Sequence, residues 1–220
     1  MEYLTSVHST LKFIDKNKLR SEVPEQLMAV KYVTPDSVVL ELGGSIGRNT
    51  CVICSILNDS SNLVTIEPNA VEMVGLERNR QLNDFKFKIE PNILSTIPLY
   101  SKGWYTHKQP INGSTKIDCI SWDELTDKYN LKFNTLIIDN EGNFVENLKT
   151  FPNILENIRL LCIEHDFNTE SDLQYFYNTM KTNNFRMIDK HMKTERLGPG
   201  MNWSDGLESD PIFISAWKQS

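Results

Sequence analysis

Short apolar runs alternate with amphipathic stretches along most of this chain. Ser37 to Leu42 is almost continuously apolar, as expected of a short strand buried on both faces, and Gly43-Gly44 ends it. Ile46 to Leu57 reads as a helix, Leu63 to Ile66 as a second strand, and Ala70 to Leu82 as a second helix with Pro68 just ahead of its first turn. Phe85 to Ile89 alternates as a third strand. Ile117 to Ile120, Asn134 to Ile138, Arg159 to Ile163, Phe185 to Ile188 and Ile212 to Trp217 are further strand-like runs, with helices over Trp122 to Tyr129 and Ser171 to Thr182 and one or two short helices between Asn143 and Asn157. Strand-helix alternation of this kind predicts an α/β fold with a central, mostly parallel sheet of seven strands and helices on both faces.

The stretch from Asn92 to Lys116 breaks the rhythm. It carries Pro98, Gly103, Pro110 and Gly113 around Trp104, Tyr105 and His107, and it reads as a weak strand followed by an exposed loop. Loops at the carboxyl ends of parallel strands carry function, which makes this insertion a candidate acceptor-binding or lid element. A second long loop, from Lys193 to Asp210, contains Gly198-Pro199-Gly200 and Trp203. Trp104, Tyr105 and Trp203 are aromatic loop residues able to stack on a flat acceptor or to form small local cores. No repeat or linker divides the chain, so one domain is expected over 1–220, with a helical extension at 1–36 and the core at 37–220.

Composition narrows the functional classes. A net charge of −6 over 220 residues disfavours nucleic acid as a partner, because the basic stretches Lys12 to Arg20 and Lys181 to Arg196 are diluted by acids and amides. No apolar run approaches the ~20 residues of a membrane span, and no apolar signal-peptide centre is present, so an intracellular, cytoplasmic location is expected. The pair Cys51 and Cys54 has redox or zinc spacing but no second pair, and its place inside a helix favours packing. His8, His107 and His191 have no partner at readable spacing and are expected at the surface or in loops.

The most specific local feature is the run from Val38 to Gly47, a buried strand that enters a glycine turn and then a helix. Glycine takes the backbone angles of a tight turn and lets main chain approach a ligand without a Cβ between them. The second strand ends at Glu67, near the ~20-residue offset at which a carboxylate can accept both hydroxyls of a ribose. Nicotinamide dinucleotides and S-adenosylmethionine both use an acid at that place. The glycines at 43, 44 and 47 lack the third glycine of a G-x-G-x-x-G fingerprint, which suits a cofactor without a pyrophosphate.

Several ordered motifs resemble the FkbM family of methyltransferases. Glu67-Pro68-Asn69 followed by Leu76, Asn79 and Asn83 resembles that family's EPNP…L…N…N segment, and Ile117 to Leu125 resembles its V…TLDDL. Phe133 to Gly142 resembles LLKIDVEG, Leu148-Lys149 the following VLKG, and the Glu164 strand end resembles IE.H. The resemblance spans about residues 37 to 166, in the same order. Ile137 stands where the family usually has Lys, Glu41 where Asp is commoner, Ser45 where Asn is commoner, and Phe144 where an acid is expected; the last third of the chain matches little beyond the strand pattern.

The resemblance implies a Rossmann-like class I methyltransferase fold and S-adenosylmethionine-dependent O-methylation of a hydroxyl on a sugar, glycan or other small molecule. Glu41, Gly43, Ser45 and Gly47 are then expected at the methionine end of the cofactor, Glu67 and Pro68 at the ribose, and Asn92 with Ile93 at the adenine. Methyl transfer from a sulfonium asks the protein mainly to position the acceptor and remove its proton, for which Asp139, Glu141 and His165 are the candidates. Capping of the following helix is the alternative role for Asp139 and Glu141. A divalent metal between Asp139 and Glu164 is conceivable but disfavoured, since two carboxylates make an incomplete site. Competing readings are a non-catalytic binding module that keeps the fold and a nicotinamide-dependent oxidoreductase.

Overall fold

The computed structural model describes residues 1–195 and 207–220; the Gly198-Pro199-Gly200 segment and Trp203 lie outside them. The chain begins with helices α1 (Glu2–Thr10), α2 (Lys16–Leu19) and α3 (Val23–Tyr32), then runs through β1 (Val39–Leu42), α4 (Arg48–Ile56), β2 (Leu63–Ile66), α5 (Ala70–Leu82) and β3 (Lys88–Glu90). Short strands β4 (Ile93–Leu94), β5 (Leu99–Lys102), β6 (Tyr105–His107), β7 (Thr115–Ile117) and β8 (Cys119–Ile120) follow. The remainder is α6 (Trp122–Tyr129), β9 (Thr135–Ile138), α7 (Phe144–Thr150), β10 (Leu160–Glu164), α8 (Glu170–Thr182), β11 (Phe185–Met192) and β12 (Ile212–Gln219).

Seven strands form the main sheet in the order β11-β12-β10-β9-β1-β2-β3, parallel except for β12, which runs antiparallel to both its neighbours. The expected mostly parallel, seven-stranded α/β sheet is present. Its continuous apolar runs follow from burial on both faces. Leu40, Leu42, Leu136, Ile138, Leu161 and Ile163 join a core shared with α6, α7 and α8. Their alternating neighbours Val39, Ile137, Leu160 and Cys162 join a second core with residues of α3, α4 and α5. A period of two therefore divides each strand between two apolar layers.

Two elements differ from the sequence reading. The 92–116 insertion is more ordered than a loop: β5, β6 and β7 form an antiparallel sheet of three, and β4 pairs with β8. Glycines with positive φ at 103 and 113 make the turns. The second difference is at the carboxyl end, where β11 continues through Met192 with register shifts at Met187/Asp189 and His191/Met192. Irregular pairing of this kind hides a strand from a pattern search that expects strict alternation.

The amino-terminal helices are a built part of the molecule. A third apolar cluster of Leu4, Val7, Leu11, Phe13, Leu19 and Val23 packs on Cys51 and Val52 of α4. Both helix thiols are buried, and burial pushes them up in pKa, in keeping with packing rather than redox chemistry. His8, expected at the surface, is buried and shares a 2.7 Å hydrogen bond with Gln26, whose amide donates to the Leu19 carbonyl. The Leu76, Asn79, Asn83 pattern now has a physical meaning. Asn79, fully buried on α5, accepts from the Ile14 N–H at 2.9 Å and donates to the Ile46 carbonyl at 2.8 Å, while Asn83 exchanges two hydrogen bonds with the Lys12 main chain. One side chain thus ties the extension to the glycine turn. Among the described residues no helix is long and apolar enough to cross a membrane.

Replacing Asn79 with Ala leaves a part-buried N–H and a part-buried carbonyl without their partner, so a loss of about 1–2 kcal/mol is expected in urea or guanidinium unfolding. An unchanged midpoint would show that the extension is held by its apolar contacts alone.

Candidate cofactor and acceptor site

The site forms where β1, β2 and β9 end side by side. Gly43 leaves β1 with φ +94°, and a Cβ there would stand 1.7 Å from the Asp139 carbonyl oxygen at the end of β9. No side chain fits that gap. The Gly43 and Gly44 N–H groups both donate to the Ile66 carbonyl, at 3.0 and 3.1 Å, which folds the turn across the end of β2. Gly47, at φ +91°, is the N-cap of α4.

Glu67 follows β2 and is almost fully buried. Its two carboxylate oxygens accept from the Ser45 N–H at 2.6 Å and the Asn69 N–H at 2.7 Å. Each oxygen keeps a lone pair for a further donor. Burial raises its pKa in spite of those two backbone bonds. Ser45 itself takes a positive φ of 44° and donates its hydroxyl to Glu72, and Arg48, ion-paired to Glu22, donates to the same hydroxyl.

These ends open onto a cavity of about 400 Å³, within the ~300–1,000 Å³ range of small-molecule sites. Gly43, Ser45, Glu67, Pro68, Ile93, Asp139 and Glu141 line it. Seven of the residues singled out in the sequence are therefore brought to one wall. Four are not. Glu41 points to the opposite side of the turn, fully buried, where it accepts from Thr50 at 2.5 Å and burial pushes its pKa up to about 7. Gly47 shapes the turn from behind, where a Cβ would meet Leu76 at 2.8 Å. Asn92 donates its N–H to Glu90 in the turn after β3, outside the cavity lining.

His165 is the clearest correction. It is 1% exposed and away from the cavity lining, with Nδ1 2.7 Å from Asp210 and Nε2 2.7 Å from the Ser215 hydroxyl. The Ser215 hydroxyl also accepts from the Trp217 indole, which closes a network of four buried side chains, the imidazole among them. Every position is occupied, so this histidine cannot reach or accept an acceptor proton; it joins β10 to β12 instead.

Asp139 and Glu141 flank a tight turn at the mouth of the site. Glu141 and Gly142 take positive φ in succession, and the Gly142 N–H donates to Asp166 at 2.6 Å. Asn143 stands at the N-cap position of α7 and makes no side-chain cap hydrogen bond. Burial, Glu22 and Asp166 hold the Asp139 carboxyl well above the usual range; burial and Asp139 do the same to Glu164, its neighbour within hydrogen-bonding reach. Like charges at that separation disfavour ionising both carboxyls together.

The 92–116 insertion, expected as an acceptor-binding or lid element, supplies the outer wall, although the sequence does not single out Thr106, His107 and Lys108 for it. Trp104, Thr106, His107 and Lys108, from β6 and its ends, line the cavity together with Asn140, Asn143 and Glu146. Thr106 donates to Asn143 at 3.1 Å and Lys108 pairs with Glu146 at 2.8 Å, which fastens the inserted sheet to α7. His107, expected to be a bystander, lines the cavity. No spacing rule joins residues 37 to 38 positions apart through a strand of three residues. Asn140, which also lines the cavity, has a buried Oδ1 with no hydrogen-bond partner.

The fold is the Rossmann-like fold of class I methyltransferases. It matches an rRNA methylase from Streptococcus thermophilus with a TM-score of 0.52 and 9% identity, over 88% of this chain and 93% of that one. An O-methyltransferase from Bacillus cereus, solved in complex with SAH, matches with a TM-score of 0.52 and 14% identity over 99% and 90% of the two chains. In sequence, the chain is 28% identical over 163 residues to the hexuronic acid methyltransferase AglP of Haloferax volcanii. That alignment spans 66% of this chain and 63% of AglP, a little under two thirds of the relative's length. No family model matches the chain.

Burial pushes Glu41 and Asp166 up to about 7, against ordinary values of 4.5 and 3.8. The folded state therefore holds protons that the unfolded chain has released, and stability rises as pH falls through about 7. His8, whose pKa burial lowers, opposes this only below about 6.5. The melting temperature of the ligand-free protein is expected to increase from pH 8 to pH 6; a flat or falling profile would show these carboxylates to be solvated in solution.

Proposed function

We propose that this protein is an S-adenosylmethionine-dependent methyltransferase that O-methylates a sugar, glycan or other small molecule. One observation carries the reading: Glu67 is pinned by two backbone N–H groups at the edge of the cavity, with lone pairs left for a vicinal diol, beside a turn that only glycine can make. The residues present fit the cofactor. Gly43 and Ser45 would lie along the methionine part, Glu67 with Pro68 at the ribose, and Ile93 at the adenine. When bound, S-adenosylmethionine supplies an electrophilic methyl group on a good leaving group.

The protein's own part is positioning and proton removal. Asn140 offers a buried acceptor to a hydroxyl, and Thr106 with Asn143 frames it from the outer wall. Asp139 and Glu141 are the carboxylates placed to orient the acceptor and take its proton; the raised pKa of Asp139 makes its ionised form a stronger base than an ordinary carboxylate. Trp104, more than half exposed at the rim, presents an apolar face against which a pyranose ring can pack. Similarity to a hexuronic acid methyltransferase supports a sugar as the acceptor, and the ordered motifs between residues 37 and 166 support an FkbM-like relationship.

The departures from those motifs leave the large cavity intact. Phe144 is buried against Phe176, and Ile137 sits in the core beneath the sheet; neither lines the cavity. A binding module without chemistry loses its main support.

Glu67→Ala should weaken S-adenosylhomocysteine binding by about 10- to 100-fold in calorimetry, the loss expected of hydrogen bonds to a charged group. Unchanged affinity would reject the ribose assignment. For the chemical step, Asp139→Asn should lower kcat by roughly 10²- to 10⁴-fold in a radiolabelled methyl-transfer assay on uronic acids and neutral sugars. The wild-type rate should rise with pH through a midpoint well above the ordinary carboxylate range, because the base works ionised. Full activity in the Asn variant would move the base elsewhere on the cavity wall.

A further inference from the structure

Behind the glycine turn, on the side where α3 packs, a second and much smaller cavity remains. Its volume is about 10 Å³, room for one water-sized group. Glu22, Glu25, Glu41, Asn49 and Asp139 line it together with the Gly43-Gly44 main chain, and Leu42, Gly43 and Asp139 are common to both cavities. Leu42, Ile137, Ile138, Cys162 and Ile214 complete the wall, so its charged groups are all acids set among apolar side chains. Two of its acceptors, Glu25 Oε2 and Asn49 Oδ1, are buried with no hydrogen-bond partner. Glu25 is only 7% exposed, and a buried carboxyl oxygen without a partner is costly to retain unless something pairs with it.

We propose that Glu25 and Asn49 receive the α-ammonium group at the methionine end of the cofactor, which makes α3 of the amino-terminal extension part of the binding site. The inference rests on reading the large cavity as the S-adenosylmethionine site. A primary ammonium is the size of a water molecule, carries three N–H donors and no acceptor, and brings the positive charge that this wall lacks. Arg48, the nearby guanidinium, is already engaged by Glu22 and by Ser45. A divalent cation is a poorer occupant: it needs six or more oxygens at fixed distances, and among the described residues no group of three or more His, Cys, Asp or Glu is placed to hold a metal ion. Burial and the charges of Glu22 and Asp139 hold the Glu25 carboxyl well above the usual range, and a bound ammonium would draw it back to the ionised form.

The assignment also explains why the extension is fastened so firmly. Glu25 reaches the turn only if α3 is docked, and the Gln26, Asn79 and Asn83 hydrogen bonds hold that dock in place.

Calorimetry with two probes tests it: S-adenosylhomocysteine, and the analogue of that compound in which the α-amino group is replaced by hydrogen. Wild-type protein should bind the parent about tenfold or more tightly than the deaminated analogue, the usual effect of a charge-assisted hydrogen bond in a buried site. Glu25→Gln should bring the parent down toward the analogue and leave analogue affinity within about twofold, with a melting temperature in the absence of ligand no lower than wild type. Equal binding of the two probes by wild-type protein overturns the proposal without recourse to any variant. Equal losses for both probes in Glu25→Gln, or none, also overturn it. Wild-type protein that binds neither probe removes the cofactor reading and this inference together, whereas tight binding that ignores the amino group removes the inference alone.

Discussion

The close approach of Gly43 to the Asp139 carbonyl is the constraint on which the site depends. Because main chain meets main chain there with no Cβ between them, the ends of β1 and β9 are drawn together and the turn is forced across the end of β2. That path aims the Ser45 N–H at Glu67, which fixes a carboxylate at the cavity edge. It also leaves Asp139 common to the large cavity and the small one behind the turn. Strand register supplies the rest: Leu42 stands opposite both Ile66 and Ile138, so all three strands stop at one level.

Buried acid is the second theme. Glu25, Glu41, Asp139, Glu164 and Asp166 all have pKa values raised first by burial, and several are raised further by one another. A fold gains nothing in stability from such a cluster while it is empty of cations. It does create a region in which a positively charged ligand is favoured over water, and a sulfonium carrying an ammonium is such a ligand. The electrostatic character of the pocket and the chemistry proposed for it therefore agree without reference to any single contact.

The inserted sheet of β5, β6 and β7 completes the enclosure. Its attachments to α7, through Thr106 with Asn143 and Lys108 with Glu146, are few and partly exposed. Exposed ion pairs contribute little, about 0–1 kcal/mol each. The outer wall is consequently held more loosely than the cofactor side, which is an arrangement suited to admitting an acceptor while the cofactor half stays preorganised.

Local patterning was enough to read the α/β class, the seven-stranded sheet, most helix limits and the Gly43, Ser45, Glu67 and Asp139 constellation, because each depends on residues close in sequence or on a strand ending where polarity begins. Other features required the chain to be folded. Whether His165 faces ligand or core turned on Asp210 and Ser215, residues 45 and 50 positions away, and nothing near His165 in sequence records them. His107 reached the cavity through a strand of three residues, too short to announce its facing. Glu25, on an amphipathic helix whose polar positions look like any solvated face, became a buried carboxylate at the glycine turn only when α3 docked. Periodicity reports which side of an element is apolar; it carries no information about what another element, arriving from far along the chain, will place against the polar side.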